Sequence, residues 1–222
     1  MITKSQLKLR VKENLKFAKD FYEKGDGEDG LAVMMVVDTV KDGKKSGVAA
    51  ILANEGAVEK RRDIAFDLGV RAGIDLSKGI IDSIDAFFMI SEAWYSTAEK
   101  DTAMDKMPMP SQDPNKKEAI VSTGMSKEGA TAIGMFELKK SFDLDNAKIK
   151  VSFEPIGDGP KVVGDGEIES PLLQQFWNGV KLMEKFDETL PPILRDHLKG
   201  LTTDKIFDMF SRSINELREK HK

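Results

Sequence analysis

The sequence predicts an α+β protein: a mainly antiparallel sheet of about six strands, flanking helices, and a helical C-terminal segment. Three observations lead there. Strand-patterned runs follow one another without intervening helices in the middle of the chain. The turns joining the last of them are too short for parallel crossovers. Helical periodicity is confined to the two ends and to one stretch after the first hairpin.

The elements follow in order. Thr3 and Gln6 have capping-box spacing, and Leu7, Val11, Leu15, Ala18 and Tyr22 then recur at helical intervals until Gly25-Asp26-Gly27. Residues 31–39 form a continuous β-branched and apolar run, Lys41-Asp42-Gly43-Lys44 signals a turn, and 47–53 reads as the returning strand of a hairpin. Asn54 can cap a second helix that presents Val58, Ile64, Ala65, Leu68 and Ala72 on one face. The longest strand spans 84–95, and after a polar, Met- and Pro-rich stretch (96–116) come strands at 118–125, 131–139 and 148–154. In the last of these Ile149, Val151 and Phe153 alternate with Lys148, Lys150, Ser152 and Glu154, so one face there should meet solvent.

A Gly- and Asp-rich link at 157–166 suggests a division between a sheet domain (1–156) and a helical segment (157–222) packed on it. Ser170-Pro171 opens a helix with Leu173, Phe176, Trp177, Val180, Met183 and Phe186 along one wide face. That face should pack on the sheet or on a partner chain. Pro191-Pro192 breaks the helix, a short piece ends at Gly200, and Thr203 caps a last helix bearing Ile206, Phe207, Phe210, Ile214 and Leu217.

Composition removes several function classes. The 222 residues contain no cysteine, which excludes a disulfide framework, a thiolate zinc site and a thiol nucleophile. With 34 basic and 38 acidic side chains the net charge is −4, and no global field points to nucleic acid or membrane. The lysines of the first helix (Lys4, Lys8, Lys12, Lys16, Lys19) read as a solvated face. The N-terminus runs straight into that charged helix, and the longest apolar run, 31–37, is far short of a membrane span. The expected location is the cytoplasm.

Motifs remove more. The two histidines are His197 and His221, there is no Gly-x-Ser-x-Gly turn or His-x-His pair, and no P-loop or Gly-x-Gly-x-x-Gly sits between a strand and a helix. Asp158-Gly159 and Asp165-Gly166 lack the alternating oxygen ligands of a calcium loop. No cofactor or resident metal is called for.

Two features remain. Phe136-Glu137-Leu138-Lys139 places a carboxylate and an amine on one face of a strand, and Asp113 lies upstream. An acid followed by an Asp/Glu-x-Lys strand resembles the metal-dependent nuclease superfamily built on that pattern. The resemblance implies that Asp113 and Glu137 hold a divalent cation and that Lys139 positions the attacking water. The second feature is the pair of strand ends around 96–116. If the strands pair antiparallel, Glu92, Trp94, Ser111, Asp113, Lys117 and Glu118 gather at one edge of the sheet under the long loop. The segments Ser91-Glu92-Ala93-Trp94 and Pro110-Ser111-Gln112-Asp113-Pro114, the latter followed by Lys116-Lys117-Glu118-Ala119, resemble a family of small uncharacterised bacterial and phage proteins over about residues 30–155. That resemblance carries over no activity.

The expected function is therefore a non-enzymatic soluble interaction protein of a prokaryote or phage, with a homo-oligomer or another protein as partner. The alternatives are a divalent-metal nuclease or related hydrolase using Asp113, Glu137 and Lys139, and a small-ligand site under the 96–116 loop.

Overall fold

The computed structural model describes residues 2–24, 33–52, 58–96, 112–143, 148–157, 161–163 and 170–220. The chain runs α1 (Lys4–Lys24), β1 (Val33–Lys41), β2 (Lys44–Leu52), α2 (Val58–Ser77), β3 (Ser83–Tyr95), β4 (Lys117–Ser126), β5 (Thr131–Asp143), β6 (Lys148–Pro155), β7 (Lys161–Val163), α3 (Pro171–Thr189), α4 (Pro192–Lys199) and α5 (Thr203–Lys220). The strands form one sheet in the order β2-β1-β3-β4-β5-β6, with β7 also pairing with β5. From β3 onward every pairing is antiparallel. The fold is α+β with a helical C-terminal segment, as the sequence predicts. The short strand β7 falls inside the predicted link, where three residues are too few to show a pattern. The expected Asn54 cap, the 143–146 turn beyond Asp143, and most of the 96–116 loop lie outside the described residues.

The chain divides into two compact units that alternate along the sequence. One comprises Met1–Val36, Ala49–Glu55 and Ala86–Ile168; the other comprises Val37–Val48, Gly56–Asp85 and Glu169–Lys222.

In the first unit α1 packs on β4, β5, β6 and β7. Its start is the expected capping box: Thr3 N–H donates to Gln6 Oε1 (2.9 Å) and Gln6 N–H to Thr3 Oγ1 (3.2 Å). Leu7, Val11, Leu15, Ala18 and Tyr22 then bury against Ala86, Phe88 and Ile90 of β3, Ile120 of β4 and Ala132 and Leu138 of β5. Ala86, Phe88 and Ile90 are alternate residues and so share the face toward α1, while Phe87 between them is buried on the other face. Phe88 lies opposite Gly124. A Cβ on Gly124 would sit 2.3 Å from the Phe88 ring, so the glycine is the space into which the ring fits.

In the second unit α2 and α3 are close neighbours. The apolar face of α3, with Leu173, Phe176, Trp177, Val180 and Met183 buried, is the wide stripe seen in the sequence, and it meets α2. The crossing is close because it is lined with glycine. A Cβ on Gly69 would lie 2.0 Å from the Phe176 carbonyl oxygen, and one on Gly179 2.3 Å from that of Phe66. Ser170 accepts from Leu173 N–H with Pro171 in the first turn, as expected.

The cap of α5 differs by one residue from the prediction. Thr202, not Thr203, accepts from Lys205 N–H (3.3 Å) and from Ile206 N–H through its carbonyl. The Thr203 hydroxyl instead donates to Asp75 at 2.6 Å, tying α5 to α2. Two adjacent threonines have equal claim in sequence, and the contact with α2 decides between them. Arg71 adds to that junction, stacking 3.9 Å over Phe207 and pairing with Asp204.

The hairpin tip also belongs to this unit. Asp42 (φ 50°) and Gly43 (φ 72°) are both left-handed, which defines a two-residue turn of type I′. Asp82 accepts from Asp42 N–H (2.6 Å) and from Lys41 (3.1 Å), both of which hold its carboxyl below the ordinary range. Among the described residues no helix is long and apolar enough to cross a membrane.

Candidate functional site

The site is built where β3 ends and β4 begins. Their register pairs Trp94 with Glu118 and Tyr95 with Lys117. Directly paired residues share a face of the sheet, so these two pairs point to opposite faces. The structure therefore places Glu92, Trp94 and Glu118 on one face and Lys117 on the other, with Asp113 held in its own turn.

On one face Trp94 is 51% exposed, and Lys116 lies 3.8 Å over its ring. Glu118, opposite Trp94, pairs with Lys140 at 2.9 Å. Glu92, two residues before Trp94 and opposite Ile120, belongs to the same face.

On the other face Glu137 is the centre. It stands opposite Ala119 on β4 and Glu154 on β6. Tyr95 donates to Glu137 Oε2 at 2.6 Å, and Lys117 approaches the same oxygen at 3.3 Å. Lys139, two residues along β5, pairs with Glu154 at 2.6 Å. The side chains form the chain Tyr95, Lys117, Glu137, Lys139, Glu154 across four strands.

Each perturbed group follows from its neighbours. The Tyr95 hydroxyl holds the Glu137 carboxyl below its ordinary value, with Lys117 contributing in the same sense. Tyr95 itself is pushed up to about 12, first by burial and then by donating to a carboxylate. Lys139 is raised by Glu154. Asp113 is held low by the Ser96 hydroxyl and by Asn115 N–H, which donates to Asp113 Oδ1 at 2.8 Å. Asp113 thus caps its own turn, Asp113-Pro114-Asn115.

Of the residues singled out in sequence, Glu137 and Lys139 do share a face and Glu137 is joined by Lys117. Trp94 and Glu118 are joined on the opposite face. Ser111 lies outside the described residues. Among the described residues no three histidine, aspartate or glutamate side chains are placed to hold a metal ion. Sequence reasoning missed Tyr95, Lys116, Lys140 and Glu154. The signal for Tyr95 and Glu154 was the strand register: any residue opposite Lys117 or Glu137 joins that face. Comparison with protein-family models, with curated proteins and with solved structures finds no match.

Proposed function

We propose that the protein is a non-enzymatic, cytoplasmic interaction protein of a prokaryote or phage, acting through association with a second copy of itself. The observation that carries this reading is the direction in which Asp113 and the ionisable groups around Glu137 are moved. A general acid or base works best with a pKa near the operating pH. Here Asp113 and Glu137 are moved down and Lys139 up, each away from neutrality. Every one of them already has an opposite charge or hydrogen-bond donor as a partner. Such an arrangement presents matched charges at a sheet end, and those three groups are moved away from the range that suits proton transfer.

Exposed apolar side chains support association. In the helical unit Ile193 is 84% exposed and Leu194 half-exposed on α4, none of whose residues is buried. The divalent-metal hydrolase reading is supported by the shared face of Glu137 and Lys139. It competes with the Lys139–Glu154 pair for Lys139 and with Tyr95 and Lys117 for Glu137 Oε2.

Light scattering of the full chain at micromolar concentration tests the reading. A dimer or higher oligomer is expected, and a monomer overturns it. Thermal unfolding with and without Mg²⁺ or Mn²⁺ tests the hydrolase, since a cation bound to the native state raises the midpoint. No shift is expected.

A further inference from the structure

The two edges of the sheet are defended unequally. β2 ends the strand order on one side and β6 on the other. β6 carries Lys148, Lys150, Glu154 and Pro155, the charges and proline that keep an open edge from pairing. β2 begins with Lys44 and Lys45 and then runs through Leu52 with neither charge nor proline. Residues 44–49 are exposed, Val48 to 62%.

The two-residue turn fixes which backbone groups face outward. It sets Lys41 opposite Lys44 and Thr39 opposite Ser46, whose hydroxyl oxygens are 2.9 Å apart. In an antiparallel pair every second residue bonds to its neighbour. Lys44, Ser46 and Val48 therefore bond to β1, while the N–H and C=O groups of Lys45, Gly47 and Ala49 point away from it. Among the described residues no strand pairs with that side.

We propose that β2 is a dimerisation edge: it pairs antiparallel with β2 of a second copy, Val48 against the partner's Val48 and Gly47 against the partner's Ala49. The outward groups named above are those such a ladder uses. This rests on the association reading and names its surface. The charge pattern disfavours parallel pairing in register, although Lys45 is paired with Asp85 at 3.7 Å. Parallel pairing in register would stack lysine on lysine at about 5 Å. In the antiparallel register each Lys45 faces the uncharged end of the partner strand. Its counterpart is then six residues away, about 20 Å at ~3.4 Å per residue, beyond twice the screening length of ~8 Å. The strand is self-complementary in one direction only, and an isologous contact of that kind closes at two copies.

The experiment is light scattering on full-length variants, with circular dichroism as the folding control. Wild type is expected as a dimer. Val48→Lys and Val48→Glu are each expected as folded monomers, since like charges then meet at the centre of the contact. Mixing the two is expected to restore the dimer. Ala49→Pro, which removes an outward N–H and leaves the bonds to β1, is expected to be monomeric; if it fails to fold, the Val48 pair decides. A wild-type monomer overturns both the edge and the association reading. A wild-type dimer that survives Val48→Lys overturns the edge assignment alone, and so does a dimer that dissociates only in Ile193→Glu/Leu194→Glu.

Discussion

The Tyr95 hydroxyl donates to Glu137 Oε2 at 2.6 Å, joining the last residue of β3 to the middle of β5 across β4. Lys117, on the strand between, approaches the same oxygen. The strand end is thus held on one face by a part-buried hydrogen bond and on the other by the Trp94–Lys116 stack.

The first prediction concerns Tyr95 at high pH. Its folded pKa, about 12, lies above the ordinary 10.0, so its contribution is fully present below pH 10 and is lost as pH rises through 12. In Tyr95→Phe the tyrosinate absorbance step near the upper value should vanish from the pH difference spectrum. A step that persists unchanged would assign it to Tyr22.

At low pH the same bond acts through Glu137. Its carboxyl is depressed below 4.5, so its contribution is present above that value and is lost as pH falls through the folded pKa. Urea midpoints measured at about pH 6 and about pH 3 should differ less in Glu137→Gln than in wild type. Equal differences would show that the Tyr95 and Lys117 contacts are not coupled to folding.

The α2–α3 crossing predicts that added volume is costly. Gly69→Ala and Gly179→Ala each push a methyl group into a backbone carbonyl and should destabilise by about 1–3 kcal/mol or more. Alanine is otherwise the better helix former, so a neutral or stabilising result in urea denaturation would refute the close approach.

Adjacent threonines should behave differently. Thr202→Ala removes the cap of α5 and should cost about 1 kcal/mol. Thr203→Val leaves the cap and removes the bond to Asp75, so it should loosen the α2–α5 junction with α5 still formed, read as faster amide exchange at the start of α5.

What the sequence carried well were features decided locally. The Thr3–Gln6 box, the Asp42-Gly43 turn and the Ser170-Pro171 start each depend on residues within four positions, and all are present as expected. The α1-facing layer was legible because α1 repeats its apolar residues at helical spacing. What failed to show were partners set by register or by remote contact. Glu137 could be named as interesting, but Tyr95 and Glu154 meet it only because three strand registers place them there. Thr202 and Thr203 looked alike until Asp75 claimed one of them. Trp94 reads as a core residue by type, yet at the end of β3 it is exposed under Lys116.

The glycine-lined face of α2 has a consequence for synthesis. Its partner α3 begins at Pro171, roughly ninety residues after α2 ends at Ser77, or on the order of ten seconds of translation at ~5–20 residues per second. During that interval α2 is complete and its docking face is bare. The nascent chain must either leave the helix unformed or shield it. Cutting the protein after Gly157 would make that interval permanent, leaving the glycine face of α2 without the helix it is shaped for.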